Sequence, residues 1–161
     1  MSASQPPRRS VTLSLQDRRF LDLAVEQAEI GWEEGGVPIG AVLAHGDRLL
    51  AAGRNRRVQE DSAILHGETD AIERAGRLPA SIYRECTLYT TLSPCIMCAG
   101  TSLLYGIPRI VIGENRSFAG AEAVLADRGV DLVVADDPRC LALMARMLEE
   151  RLDLWNEDIG E

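Results

Sequence analysis

The sequence predicts an α/β domain, a three-layer α/β/α sandwich whose central sheet is mixed and five-stranded. Helical and β-rich segments follow one another in the order α-ββ-α-β-α-β-α-β-α. Two adjacent short strands with a turn between them indicate an antiparallel hairpin. The later strands are each separated by a helix, so they are expected to be parallel. At 161 residues, 46% of them hydrophobic, the chain is long enough to bury one core.

The first helix is expected to begin after Ser14 and to end at Gly35-Gly36. Ser14 and Asp17 resemble a capping box, in which Asp stands where Glu or Gln is usual. The apolar residues between these signals recur at helical spacing, at Leu21, Ala24, Val25, Ala28 and Trp32. We expect residues 1–13 to be a flexible N-terminal tail and residues 14–161 to form a single domain.

Short apolar runs predict the strands, at 39–44, 48–52, 87–91, 109–112 and 130–135, and those at 87–91 and 109–112 are rich in β-branched residues. Further helices are predicted at 66–75, 95–105, 121–128 and from Pro138 to Trp155. The first three of these stop at a glycine, and the last begins at a proline, which sacrifices no hydrogen bond in the first helical turn. One apolar stripe runs along the last helix, through Leu141, Met144, Leu148, Leu152 and Trp155.

The charge balance is acidic, with 25 Asp and Glu against 17 basic residues, all of them arginine, and a net charge of −8. This argues against a nucleic-acid partner held mainly through its phosphates. The first ten residues contain no apolar run of the kind found in a signal peptide, and no stretch approaches eighteen uninterrupted apolar residues. We therefore expect a soluble, cytoplasmic protein. Cys86 and Cys140 are expected to be buried packing thiols, because four cysteines in a chain of this length do not resemble a disulfide framework.

Two short motifs carry the chemistry, His66-Gly67-Glu68 and Pro94-Cys95-Ile96-Met97-Cys98. His66, Cys95 and Cys98 supply one imidazole and two thiolates, which is a catalytic zinc set with the fourth position left for water. Zinc lowers the pKa of that water toward neutrality, and Glu68 is then expected to carry the proton. The pattern H-x-E followed by P-C-x-x-C is a known signature of zinc deaminases.

Two alternatives compete with a catalytic zinc, a redox C-x-x-C pair and a closed structural zinc site. A structural site needs a fourth strong ligand, and the other histidine, His45, falls in the predicted hairpin turn. A redox pair leaves His66 and Glu68 without a role. The strand at 87–91 is expected to bring both motifs to one sheet edge, where open α/β sheets bind ligands. A non-catalytic zinc-binding or redox interaction module stays as the alternative outside the enzymes.

Over nearly all of residues 20–161 the chain resembles the cytidine deaminase superfamily of zinc enzymes, and within it the yeast-type cytosine deaminases. The matching segments are 35–40, Asn55, 65–68, 88–95, 105–109, 113–115 with Phe118, and 157–161. The zinc motifs are common to the whole superfamily. The segments ending at Phe118 and at Glu161 are narrower, and they favour cytosine as the substrate.

The resemblance implies a role for each matching residue. It makes His66, Cys95 and Cys98 the zinc ligands and Glu68 the proton shuttle. Asn55 would read the N1 and O2 edge of the base, with the Gly67 N–H assisting at O2. The Ser93 carbonyl and Asp158 would hold the leaving amino group. The pocket would be formed by Phe118, by Trp155 on a C-terminal lid helix, and by Ile39 at its floor.

The expected activity is therefore zinc-dependent hydrolytic deamination of free cytosine to uracil and ammonia, with one zinc per chain. The resemblance also implies a homodimer with the Cys95 helix near the subunit contact. Rival substrates are guanine, isocytosine and creatinine, or adenosine in tRNA, although the acidic C-terminus would repel an RNA backbone. Val58 and Asn156 replace aromatic residues of the yeast-type pattern, and we expect Val58 to leave space beside the ring for a larger base.

Overall fold

The sheet in the computed structural model, which describes residues 11–161, has five strands. They are β1 (Gly40–His45), β2 (Arg48–Arg54), β3 (Cys86–Leu92), β4 (Arg109–Glu114) and β5 (Asp131–Val134). Their spatial order is β2-β1-β3-β4-β5. β1 runs antiparallel to β2 and β3, whereas β3, β4 and β5 are parallel. The predicted mixed sheet, an antiparallel hairpin followed by parallel strands, is confirmed. Most of the expected flexible tail, residues 1–10, lies outside the described residues.

Seven helices surround this sheet within the described residues. They are α1 (Leu15–Glu33), α2 (Gly67–Ala75), α3 (Ala80–Tyr83), α4 (Ile96–Tyr105), α5 (Glu122–Asp127), α6 (Pro138–Glu150) and α7 (Leu152–Asp158). The four-residue α3 was not expected, because a single turn is too short to show an apolar period. No helix in the described range is both long and apolar enough to cross a membrane.

The expected last helix is wrong as a single element, since it breaks at Arg151 into α6 and α7. The backbone of Arg151 leaves the helical region, with φ −140° and ψ 41°. Its guanidinium donates hydrogen bonds to the carbonyl oxygens of Trp32 (3.2 Å) and Gly36 (2.8 Å) and lies 3.5 Å from the centre of the Trp32 ring. These contacts with the end of α1 fix the corner, and α7 folds back as a separate short helix.

The two faces of the sheet bury alternate residues of the same strands. Ala41, Leu43, Leu88, Ile110 and Ile112 belong to a cluster with residues of α2, α4 and α5. Val42, Ala44, Tyr89 and Val111 instead pack with Phe20 and Ala24 of α1. Because side chains alternate across a strand, each β-branched run covers both layers. The three-layer arrangement follows from this alternation.

Asp17 connects the start of α1 to the sheet. Ser14 caps the helix as expected, accepting a 3.0 Å hydrogen bond from the Asp17 N–H. The Asp17 carboxylate accepts two bonds from Arg109, at 2.8 and 2.9 Å, and one from the Tyr89 hydroxyl at 2.9 Å. The bonds from Arg109 outweigh the opposing effect of burial, and with Tyr89 they lower the pKa of Asp17 to about 2. Asp17 is thus part of a tertiary ion pair.

Candidate active site

Two helix N-termini meet at one edge of the sheet. His66 is the N-cap residue of α2, and Cys95, which follows the end of β3, is the N-cap residue of α4. Both have extended backbone, with ψ of 170° and 174°, and neither side chain caps its own helix within the described structure. Their side chains face each other instead. The partial positive charge of a helix N-terminus favours a thiolate at this place.

His66, Cys95 and Cys98 are positioned to bind one metal ion. Their ligand atoms all lie within 4.8 Å of one another. The His66 Nδ1 atom is 3.4 Å from the Cys95 Sγ and 3.7 Å from the Cys98 Sγ. Tetrahedral zinc with Zn–N of about 2.1 Å and Zn–S of about 2.3 Å requires N···S separations of about 3.5 Å. The donor set therefore fits zinc in both chemistry and spacing.

The other nitrogen of His66 is held by the last helix. Its Nε2 atom lies 3.5 Å from the Asp158 Oδ1, and both side chains are buried. A carboxylate on the far side of a ligating imidazole orients the ring and increases its basicity. This arrangement leaves Nδ1 for the metal.

Cys95 and His66 stabilise the charged forms of one another. The hydrogen bond from Cys98 lowers the pKa of Cys95 to about 4 against the effect of burial, and His66 adds to the lowering. Burial alone would lower the pKa of His66, but the Cys95 bond and the charges of Asp158 and Glu68 raise it to about 9. His66 must be neutral to bind a metal, so binding releases its proton.

The Glu68 carboxyl lies beside the ligands and away from solvent, with an exposed fraction of 3%. Its Oε1 accepts a 2.9 Å hydrogen bond from the Thr90 hydroxyl, and its Oε2 accepts one from the Cys98 Sγ at 3.3 Å. Burial raises the pKa of Glu68. A carboxyl in this position can hold or release a proton next to a metal-bound ligand.

The space beside these groups is small. A cavity of about 10 Å³ is lined by five of the seven predicted substrate-binding residues, Ile39, Ser93, Phe118, Trp155 and Asp158, together with His66, Glu68, Leu92, Cys95 and Ile159. Such a volume holds roughly one water molecule and no pyrimidine ring. The Phe118 and Trp155 rings meet edge to face, with centroids 5.4 Å apart. An open cleft of about 630 Å³ outside them shares His66, Cys95, Phe118 and Asp158 with the cavity.

Asn55 is fully buried behind this pocket. Its Nδ2 donates a 2.7 Å hydrogen bond to the Asp158 Oδ1, and its Oδ1 accepts one from the Arg57 N–H at 3.1 Å. One amide hydrogen and one lone pair stay available for another partner. Asn55 and Gly67 do not line either cavity of the described structure, but both contact the Ile39 backbone that forms the cavity wall.

Sequence reasoning missed Thr90, Leu92 and Ile159. Thr90 and Leu92 belong to a buried strand, and nothing in an apolar run distinguishes a residue that faces a site from one that fills the core. Val58 is 45% exposed and lines neither the small cavity nor the open cleft. The expectation that it leaves space beside the ring for a larger base stays a prediction.

The comparisons with known proteins agree with this geometry. Residues 14–114 match the family model described as the cytidine and deoxycytidylate deaminase zinc-binding region. The chain is 49% identical over 150 residues to the cytosine deaminase of Candida albicans, which covers 92% of this chain and 100% of that protein. It is 32% identical over 108 residues to a tRNA-specific adenosine deaminase of Streptococcus pyogenes, covering 65% of this chain and 67% of that protein.

Solved structures share the fold. One comes from structural studies of A-to-I editing by tRNA:A34 deaminases. It has a TM-score of 0.66 and 26% identity, over 78% of this chain and 99% of that chain. The guanine deaminase of Nitrosomonas europaea has a TM-score of 0.65 and 22% identity, over 91% of this chain and 94% of that chain, which supports the fold alone. Since the family model spans most of the chain and the fungal relative matches along its whole length, this protein belongs to the cytidine and deoxycytidylate deaminase family of zinc-binding enzymes.

Proposed function

We propose that the chain catalyses the zinc-dependent hydrolytic deamination of free cytosine to uracil and ammonia. The observation that carries the proposal is the 49% identity with a cytosine deaminase over 100% of that protein's length. The tRNA-specific relative is 32% identical over 67% of its own length. The substrate preference is thus taken from the relative that matches over its whole length.

Glu68 is the proton carrier in this mechanism. Zinc held by His66, Cys95 and Cys98 supplies a Lewis acid and makes a water molecule acidic near neutral pH. The Glu68 Oε2 atom, which lies on the side of the Cys98 thiol, would take a proton from the attacking water and deliver it to N3 of the base while the water oxygen bonds to C4. Thr90 holds the other oxygen, Oε1, and keeps the carboxyl in place. Glu68 would then take the second proton from the new hydroxyl on C4 and pass it to the amino group, so that the C4–N bond breaks and ammonia leaves.

Asn55 and Gly67 read the opposite edge of the base. The free amide hydrogen of Asn55 donates to O2, and its free lone pair accepts from N1–H. The Gly67 N–H belongs to the first turn of α2, where backbone donors have no intrahelical partner, and it assists at O2. The Ser93 carbonyl and Asp158 accept from the amino group at C4. Ile39, Leu92, Phe118 and Trp155 enclose the ring.

We propose that α7 moves to admit the base. The small cavity of about 10 Å³ is walled by Trp155, Asp158 and Ile159 from that helix or its C-cap, and by Phe118. The seven-residue α7 is joined to the rest of the chain through the corner at Arg151. Displacement of α7 would join the cavity to the open cleft. Closure over the base would then exclude water from the reaction.

We also propose that a second copy of the chain covers α4 and that the enzyme works as a homodimer in the cytoplasm. α4 contains no charged residue, and Ile96 and Leu104 on it are 68% and 77% exposed. Ile64 and Val124 are also exposed apolar residues, at 61% and 38%. Light scattering should give twice the monomer mass for the wild type and the monomer mass for Leu104→Arg. Fractionation of cells tests the location.

Ammonia release tests the proposed reaction. The purified chain would be given cytosine, cytidine, guanine, isocytosine, creatinine and a tRNA substrate in parallel, with zinc content measured on the same preparation. We expect cytosine to have the highest kcat/KM. A higher value for another free base would move the assignment to that base. Comparable efficiency on cytidine or tRNA would overturn the free-base assignment.

A further inference from the structure

The loop that carries Phe118 is bound directly to the segment that carries Cys95. The Ala121 N–H donates to the Pro94 carbonyl at 2.8 Å, and the Gly120 N–H donates to the Ser93 Oγ at 3.0 Å. A Cβ atom at position 120 would overlap the Pro94 carbonyl oxygen, so the two backbones approach as closely as only glycine allows. One wall of the pocket and one metal ligand are therefore held by the same short contact.

Glu122 closes this contact with both of its oxygens. Its Oε1 accepts a 2.7 Å hydrogen bond from the Ser93 hydroxyl, and its Oε2 accepts one of 3.2 Å from the Asn115 side-chain amide. The hydroxyl of Ser93, which is 2% exposed, thus donates to Glu122 while it accepts from Gly120. Hydrogen bonds to a charged acceptor are about twice as strong as neutral ones. Asn115 precedes the Phe118 loop and Glu122 follows it. The carboxylate therefore links both ends of the loop to Ser93, two positions before Cys95.

We propose that Glu122 is a positioning residue that fixes the Phe118 wall of the pocket relative to the metal ligand Cys95. It does not touch the cavity and acts through Ser93 and Asn115. Loss of the carboxylate frees the Ser93 side chain and one end of the loop together. The proposal rests on the proposed cytosine deamination for its kinetic readout, but zinc affinity tests it independently.

The competing role for Glu122 is a negative charge in the first turn of α5. Substitution by glutamine separates the two roles, because that side chain keeps the reach and loses the charge. In E122Q the side-chain carbonyl oxygen can still accept the hydrogen bond from Ser93. The new amide group can donate to the Asn115 Oδ1 once the Asn115 side chain flips, and that buried oxygen has no hydrogen-bond partner among the described residues. Glu122→Gln should therefore preserve the contacts with Ser93 and Asn115, whereas Glu122→Ala removes both.

The test compares Glu122→Ala, Glu122→Gln and Ser93→Ala, with Glu149→Ala at an exposed position of α6 as the control. Zinc affinity is measured by competition with a chromophoric chelator. The values of kcat and KM for cytosine are measured at saturating zinc. Glu122→Ala should lower zinc affinity by about 10-fold, the lower end of the range for a direct partner of a ligand, because Glu122 acts on Cys95 through Ser93. Its KM for cytosine should rise about tenfold, because the Phe118 wall loses the restraint of a charged hydrogen bond and binds the base less well. Its kcat should change less than about threefold.

Glu122→Gln and Glu149→Ala should stay within about threefold of the wild type in both quantities. Ser93→Ala should also lower zinc affinity and raise KM, since it loses the same bond to Glu122 together with the one from Gly120. The double variant should lose less than the product of the two effects, because both substitutions remove that shared bond. The proposal is overturned if Glu122→Ala leaves zinc affinity unchanged, if glutamine fails like alanine, or if the effects of the two alanine variants multiply. A wild type that binds zinc but does not deaminate cytosine would refute the proposed function, and zinc affinity alone would then decide the role of Glu122.

Discussion

The Asp158 carboxylate accepts a 2.7 Å hydrogen bond from the side-chain amide of Asn55, a residue 103 positions earlier in the chain. The same Oδ1 atom lies 3.5 Å from the Nε2 of His66. A single oxygen on α7 therefore contacts both the expected base-reading amide and a metal ligand. Any movement of α7 would therefore change the hydrogen bonding of Asn55 and the environment of His66 together.

We expect Asn55→Ala and Asp158→Ala to be coupled. Each variant should lower kcat/KM for cytosine about 10- to 100-fold, because each leaves a buried polar partner unpaired at a cost of roughly 1–3 kcal/mol. The double variant should lose less than the product of the two effects, and steady-state kinetics on all four proteins measures the difference. Glu157→Ala is the matched control, since Glu157 lies on the same helix with a side chain 65% exposed. Multiplicative effects would contradict the shared role.

The substituent at N1 of the base should decide whether the enzyme deaminates it. A methyl group at N1 removes the hydrogen that the free lone pair of Asn55 accepts, so 1-methylcytosine should be deaminated at least about tenfold less efficiently than cytosine. Competition assays would show whether the analogue binds at all. Equal turnover of the two compounds would mean that Asn55 does not read N1.

Glu68→Gln should retain zinc and the fold yet lose nearly all turnover. The amide keeps the shape and can still accept the Thr90 hydrogen bond, but it cannot carry a proton. Removal of a general acid–base group reduces rates by about 10² to 10⁴, and here one group serves several steps. The kcat of zinc-loaded enzyme is the measurement. More than about a tenth of wild-type activity would be incompatible with the assigned role.

Protein purified without added zinc should contain about one zinc per chain, and Cys95→Ser should lose it. Cys86→Ser is the control, because Cys86 is buried at the start of β3 and its Sγ donates to the Ile82 carbonyl, as a serine hydroxyl also can. Elemental analysis should give wild-type stoichiometry for that variant. A metal-free preparation with full activity would refute the mechanism.

Asp17→Asn should destabilise the fold in a pH-dependent way. The pKa of Asp17 is lowered from 3.8 to about 2, so its contribution is complete well above pH 4 and declines as the pH falls through 2. The variant should lose about 2 kcal/mol of unfolding free energy at pH 7 and about half of that at pH 3. Urea unfolding at several pH values measures this difference.

Asp22→Asn provides the comparison for Asp17. Asp22 pairs with Arg139 at the surface, with the two side chains 58% and 48% exposed, so its loss should change stability by less than about 1 kcal/mol. A deficit of Asp17→Asn that did not shrink toward acid would show that the charge of Asp17 is not what stabilises the junction with β4.

Local patterns in the sequence were enough to identify the sheet and the metal triad. Short apolar runs mark each strand, and glycines mark most of the helix ends, because both signals act over a few residues. His66 and Glu68 are two positions apart and Cys95 and Cys98 three, so each half of the metal site is prepared within one turn of helix. The parallel pairing of β3 with β4 then needs only the general rules of α/β folds.

Only the tertiary structure decided which distant groups complete the site. The break at Arg151 depends on carbonyl oxygens at the end of α1, and Thr90 and Glu122 acquire roles only through contacts with Glu68 and Ser93. Residues so far apart leave no period or spacing in the sequence, because their contacts exist only after the layers have packed. The sequence therefore determined the candidate metal ligands and the proposed proton carrier, whereas packing decided how they are oriented and enclosed.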